Sequence, residues 1–174
     1  MDQWPFDSRV YGDIVETMTY APNLRVPPHG FGRWLARAPR YLYRIGLGRL
    51  LGKRFVLLEH QGRRTGVTRQ TVLEVVDADS TSLLVAAAWG ERSDWFQNVQ
   101  ANPSVAISSG RRRNVRATAT ALDTSVATKV FERYSVNHKS AARGLAKAFH
   151  LPFGDAAAMA NLVPVVRLTF DQAF

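Results

Sequence analysis

Between residues 55 and 88, apolar and β-branched side chains come in three short runs, Phe55–His60, Thr71–Val76 and Leu83–Ala88, separated by clusters of Gly, Asp and Ser. Such runs predict a meander of antiparallel strands whose turns carry the chemistry. Further on, Val105–Ile107 and Asn114–Ala121 predict a hairpin turning at Ser109-Gly110, and Pro164–Phe170 a sixth strand. Helical spacing covers 94–101, begun by Ser93 or Asp94 and stopped by Asn102-Pro103. It returns from Asp123 through Tyr134, from Ala141 to His150, and in an Ala-rich stretch from Asp155 to Asn161. Six strands, with helices at the start and in the second half, predict an α+β fold built on an antiparallel barrel.

Ahead of the strands the pattern changes twice. Residues 1–30 hold four prolines and the acids Asp2, Asp7, Asp13 and Glu16, which predicts an extended arm. In 31–54 the apolar positions Phe31, Trp34, Leu35, Ala38, Tyr41, Leu42 and Ile45 fall on one helical side, opposite Arg33, Arg37, Arg40 and Arg44. Pro39 predicts a kink or a break there. This basic amphipathic segment has two readings: it packs on the barrel with its arginines in water, or it lies on an anionic membrane surface. Residues 31–174 then read as one domain.

Composition narrows the chemistry. A chain of 174 residues, 46% hydrophobic, supports one core, and the absence of cysteine excludes disulfides, thiolate catalysis and Cys-containing zinc sites. His29, His60, His138 and His150 lie far apart without metal-ligand spacing, so no metal is assigned. The start lacks a signal-peptide pattern and no window is long and apolar enough to span a bilayer, which predicts a cytoplasmic location. A formal charge of +9 and a pI near 10.6 call for an acidic partner. Nucleic acid is not expected, because Arg111, Arg112 and Arg113 sit at a hairpin end with no aromatic stacking platform among them.

The candidate anion site is the first turn, Gln61-Gly-Arg-Arg-Thr-Gly66. Gly62 and Gly66 let backbone N–H groups point into a concavity that Arg63, Arg64 and Thr65 close, with Arg69 adding charge. A solvated basic loop is the plainer reading of that turn in isolation. The small residues Ala86, Ala87 and Ala88 mark a place where a flat ligand can approach a strand, and the helix start beside Arg92 is a second element favouring anions.

Gly62-Arg-Arg-Thr-Gly66, the small-residue strand and Asp94-Trp-Phe-Gln-Asn-Val-Gln-Ala-Asn-Pro103 resemble the deazaflavin-dependent nitroreductase family, split-barrel oxidoreductases that use coenzyme F420. The similarity runs from about Trp34 to Phe170. Arg64 and Thr65 stand where family members commonly have Lys and Ser, Thr68 where a Pro is common, and Phe96 where a Tyr is usual.

The resemblance implies an antiparallel split β-barrel and hydride transfer between F420 and an activated acceptor such as a quinone, enone or nitro compound. It places the cofactor's anionic tail on Arg63, Arg64, Thr65 and Arg69, and its ring against Ala86, Ala87 and Ala88. Trp89 and Arg92 flank the ring and Trp95 packs nearby. Tyr134 is the catalytic candidate, lining the substrate side with a phenol able to donate to the reduced acceptor. With neither metal nor thiol assigned, a bound cofactor supplies the hard chemistry. Two other readings stay open: the same barrel with FMN, and a non-catalytic binder of an anionic ligand or lipid.

Overall fold

The computed structural model describes residues 54–110, 112–148 and 152–171. The arm expected over 1–30 and the basic segment expected over 31–54 lie outside them, except for Arg54. Six strands close into an antiparallel barrel: β1 (Phe55–Gln61), β2 (Thr68–Ala78), β3 (Ser82–Ala86), β4 (Ser104–Ser109), β5 (Arg112–Ala121) and β6 (Val165–Phe170). Around the barrel they run β1-β2-β3-β6-β5-β4, and β4 returns to β1 through Leu58 opposite Ile107. Among the described residues four helices accompany them: α1 (Asp94–Ala101), α2 (Thr124–Asn137), α3 (Lys139–Ala148) and α4 (Ala156–Leu162).

Period-two alternation sorts the apolar side chains into two cores. Val56, Leu58, Leu73, Val75, Leu83, Val85, Ile107, Val166 and Leu168 point into the barrel, where α1 joins them with Trp95, Phe96 and Val99. The alternate residues Val76, Leu84 and Val165 point outward and are covered by Ala127, Val130, Phe131 and Tyr134 of α2 and by Met159 and Ala160 of α4. The α1 helix therefore acts as a plug, whereas α2 and α4 wrap the outer face of β2, β3 and β6. Among the described residues no helix is long and apolar enough to cross a membrane.

Within the described residues the expected strands and helices form, with shifted ends. β2 extends beyond Thr71–Val76 on both sides, because β1 partners it back to Thr68 opposite Gln61 and β3 partners Asp77 and Ala78 through Leu84 and Leu83. The third strand ends at Ala86 rather than Ala88: the Ala87 N–H continues the register to the Pro164 carbonyl at 2.8 Å, but proline has no N–H to return the bond, and β6 begins at Val165 opposite Ala86. Ser93 and Asp123 precede their helices as expected, yet neither side chain caps. The Ser93 hydroxyl instead donates back to the Gly90 carbonyl at 2.8 Å. Asp155 does cap α4, accepting from the Ala158 N–H at 2.9 Å.

The two cores set expectations for stability. Leu168 is fully buried inside the barrel, so Leu168→Ala is expected to lower unfolding free energy by roughly 2–5 kcal/mol through lost contacts and a cavity. Val136 on α2 is 69% exposed, and Val136→Ala should stay within about 0.5 kcal/mol of wild type. Urea midpoints with unchanged slopes check both; equal shifts would mean the barrel interior is not the stabilising core.

Candidate functional site

Between β1 and β2 the chain turns through Gly62–Val67, and most of its backbone donors are already committed. The Gly62 carbonyl accepts from the N–H of Thr65 at 3.1 Å and of Gly66 at 2.7 Å, while the Gly62 N–H donates to Val67 O at 2.9 Å. Val67 N–H donates to Thr65 Oγ1 at 3.4 Å, and Arg63 N–H leaves the turn for Asn98 Oδ1 at 3.0 Å. Gly66 closes the turn at φ 63°, a left-handed conformation that favours glycine. The expected concavity of backbone N–H groups is therefore not formed. What the turn offers an anion is side chains.

Those side chains divide into two groups. Arg63 turns towards α1, its Nη1 donating to Asp94 Oδ1 at 3.1 Å and to Asn98 Oδ1 at 3.0 Å. It anchors the turn to α1. Arg64, Thr65 and Arg69 are exposed. Thr65 Oγ1 and Arg69 Nε each lie 2.9 Å from where a side-chain Cβ at Gly62 would stand, so they converge over a glycine that leaves room for both. Because Thr65 Oγ1 accepts from Val67, its own hydrogen remains available to donate.

Asn98 and His60 hold this arrangement from beneath, and neither was assigned a role from the sequence. On β1, Val56, Leu58 and His60 share the inward side; His60 is 4% exposed and Asn98 is 2% exposed. Asn98 Nδ2 lies 3.3 Å from His60 Nδ1. Burial pushes the His60 pKa below its ordinary 6.5, and Arg69, its partner across the strands, pushes the same way. The Gln61 backbone and Asp94 act in the opposite sense without overcoming the burial. The signal was present in the sequence: each is a polar residue on an otherwise apolar face, Asn98 beside Trp95 and Val99 on α1.

The other site candidates separate. From the end of β3 the chain runs through Ala87 to a 3-10 turn, Gly90–Arg92, and reaches α1 at Asp94 beside Arg63, which brings exposed Arg92 to the same end of the barrel. Gly90 has φ 68°, and an added Cβ would meet Leu162 O at 3.0 Å, so Trp89-Gly90 passes close over α4. Ala86 and Ala88 are half-buried, but Ala87 is fully buried, its carbonyl accepting from Gly90 N–H at 2.7 Å. Ala87 therefore lines the core rather than an open ligand face. Trp95 is likewise core, 6% exposed and edge-on to Phe96 at 6.0 Å.

Tyr134 stands elsewhere. Its hydroxyl donates to Glu74 Oε1 at 2.7 Å, and the same oxygen accepts from Arg54 Nη2 at 2.9 Å. Glu74 lies six residues along β2 from Thr68, about 20 Å at the usual rise of a strand. The phenol is thus 5% exposed and committed to a carboxylate on the outer face of the barrel, beside a cleft lined by Val75–Ala78, Arg133, Asn137 and His138. None of the turn's residues lines that cleft.

The donor set at the turn suits the multiply anionic tail that the resemblance implies. Arg64, Arg69 and Thr65 are exposed, and the Asp94 carboxylate beside the turn is paired with Arg63. Among the described residues no group of His, Asp and Glu is placed to hold a metal ion.

Comparison with known proteins adds the family. No curated protein matches the chain. Among solved structures it is similar to an F420-H2 dependent reductase, FDR-A, at 20% identity over 67% of this chain and 95% of that one, with a TM-score of 0.47. It is also similar to the heme storage protein HutZ from Vibrio cholerae, at 15% identity over 75% and 90% of the two chains and a TM-score of 0.48. Atu2129 from Agrobacterium tumefaciens, of unknown function, shares the fold at a TM-score of 0.50, with 14% identity over 88% of this chain and 60% of that one. The model of the F420H(2)-dependent quinone reductase family matches residues 37–144, well over half of the chain. The protein belongs to that family and is an F420-dependent oxidoreductase.

Proposed function

We propose that this oxidoreductase passes a hydride from reduced F420 to a quinone, and that Arg64, Thr65 and Arg69 hold the cofactor's anionic tail. The observation that carries the reading is the convergence of Thr65 Oγ1 and Arg69 Nε over Gly62, with exposed Arg64 beside them. Arg63 serves by fixing the turn to α1, and Arg92 adds positive charge at the same end. Ala86, Ala88 and Trp89 border the ring in this reading, because they lie on the path from β3 to Arg92.

Bound F420H2 supplies two electrons and one hydrogen nucleus as a hydride. The protein's own residues orient the tail, keep α1 seated in the barrel mouth and add positive potential for the charge that develops on the acceptor. Tyr134 takes a role different from the one the resemblance implies. Its phenol braces β2 against α2 through Glu74, and Arg54 supports the same carboxylate.

Three outcomes follow. With F420H2 as donor, kcat/KM should be higher for a soluble quinone than for a nitroaromatic or an enone, measured by recovery of the oxidised cofactor's absorbance; turnover only with nitro compounds would refute the quinone assignment. Arg64→Ala should weaken binding of full-length F420 by roughly 1.5–3 kcal/mol, the range for a hydrogen bond to a charged group, and flatten its salt dependence. A deazaflavin lacking the tail should bind mutant and wild type alike, and equal loss of both ligands would remove the turn from the site. Tyr134→Phe should lower folding stability by roughly 1.5–3 kcal/mol through the lost bond to Glu74 and leave kcat within about twofold. A large fall in kcat at unchanged stability would return the phenol to the chemistry.

A further inference from the structure

We infer that Asn98 is a positioning residue for the cofactor's tail: its one amide fixes Arg63, and so the turn bearing Arg64 and Thr65, and it can do this only against a neutral His60. The inference rests on the tail assignment above. It begins from donors and acceptors. The Arg63 backbone N–H and guanidinium Nη1 both approach Asn98 Oδ1 at 3.0 Å, and neither can accept a hydrogen bond. The oxygen must therefore face Arg63, which leaves the amide nitrogen, a pure donor, facing His60 Nδ1 at 3.3 Å. His60 Nδ1 must then carry a lone pair, with the ring hydrogen on Nε2.

A proton on Nδ1 would set N–H against N–H. Rotating the amide to relieve that contact would turn its NH2 towards the two Arg63 donors instead. No orientation of Asn98 serves both neighbours once His60 is charged, and burial of both side chains leaves little room for water to mediate. The charged groups around the ring are Arg69 on β2, Arg63 in the turn and Asp94 at the start of α1. Burial, with Arg69 acting the same way, outweighs the Gln61 backbone and Asp94 and keeps the imidazole neutral near pH 7.

The sign of the pH dependence follows. His60 titrates below 6.5 in the folded protein, so tail affinity is constant above that value and is lost as pH falls through the lowered pKa. Asn98→Asp changes the sign of the constraint. A carboxylate still accepts from both Arg63 donors but favours a proton on Nδ1, so the variant keeps the turn and raises the pKa of His60. Asn98→Ala removes the acceptor.

The test combines fluorescence titration of full-length F420 and of a tail-less deazaflavin with NMR of the His60 ring and the Arg63 amide. Wild type, Asn98→Ala, Asn98→Asp and Arg64→Ala are compared between pH 5 and 8. At pH 7.5, Asn98→Ala should bind the full-length cofactor at least tenfold more weakly with the tail-less form hardly affected, and its Arg63 amide should exchange faster. Asn98→Asp should stay within about threefold of wild type while its His60 titrates higher. Full-length binding to Asn98→Ala at wild-type strength, a wild-type His60 titrating at or above 6.5, or an Arg63 amide that exchanges at the same rate without Asn98 would each overturn the inference. If Arg64→Ala is silent, the tail assignment has failed, and the Arg63 amide alone decides whether Asn98 holds the turn.

Discussion

One buried amide joins three parts of the chain that are distant in sequence. Through Asn98, the last inward side chain of β1, the turn after it and the helix that plugs the barrel share a single set of hydrogen bonds. Buried polar groups that lose a partner typically cost about 1–3 kcal/mol each, so this set favours one geometry strongly over its alternatives. The turn's own bonds through Gly62 and Thr65 set its shape, and Asn98 sets where that shape sits on the barrel.

Seating matters for the proposed tail site because the turn offers an anion side chains rather than backbone donors. Flexible arginines on an untethered loop would lose much of their binding energy to ordering. Here Arg63 pins the loop to α1, and Trp95, Phe96 and Val99 pin α1 into the barrel interior. The chain of support runs from the apolar core, through the plug helix and one polar contact, to the exposed Arg64 and Arg69. The outer face of β2 carries a separate load: Tyr134 and Arg54 converge on Glu74, and α2 covers the sheet behind them. In the proposed reading, binding and bracing thus occupy opposite lengths of the same long strand.

Much of this was legible in the sequence, for physical reasons. Period-two alternation gave the six strands, because a closed barrel demands one apolar side from each. Asn102-Pro103 ended α1 where a proline must. The basic turn was visible from its composition. Its backbone was not: whether an N–H in a glycine-bracketed turn faces a ligand or a carbonyl depends on closure, and Gly62 O takes two of them. The extent of β3 was equally hidden, since the residue that falls opposite Ala87 is Pro164, which accepts its N–H but has none to return, and that pairing is set by β6 far along the chain. For Tyr134 the sequence showed a phenol on a helix but could not show Glu74 opposite it. His60 and Asn98 were each readable as a polar residue on an apolar face; that they face one another is a matter of topology alone.

The central claim is that the cofactor sits at the barrel end where β1 turns into β2. Hydrogen exchange of the backbone, measured with and without F420, tests it most directly because the readout is a location rather than a rate of turnover. The account predicts added protection over Gly62–Arg69 and Trp89–Asp94, with little change in β5. Protection confined to the cleft beside Tyr134 and His138, with the turn exchanging as in the free protein, would contradict it.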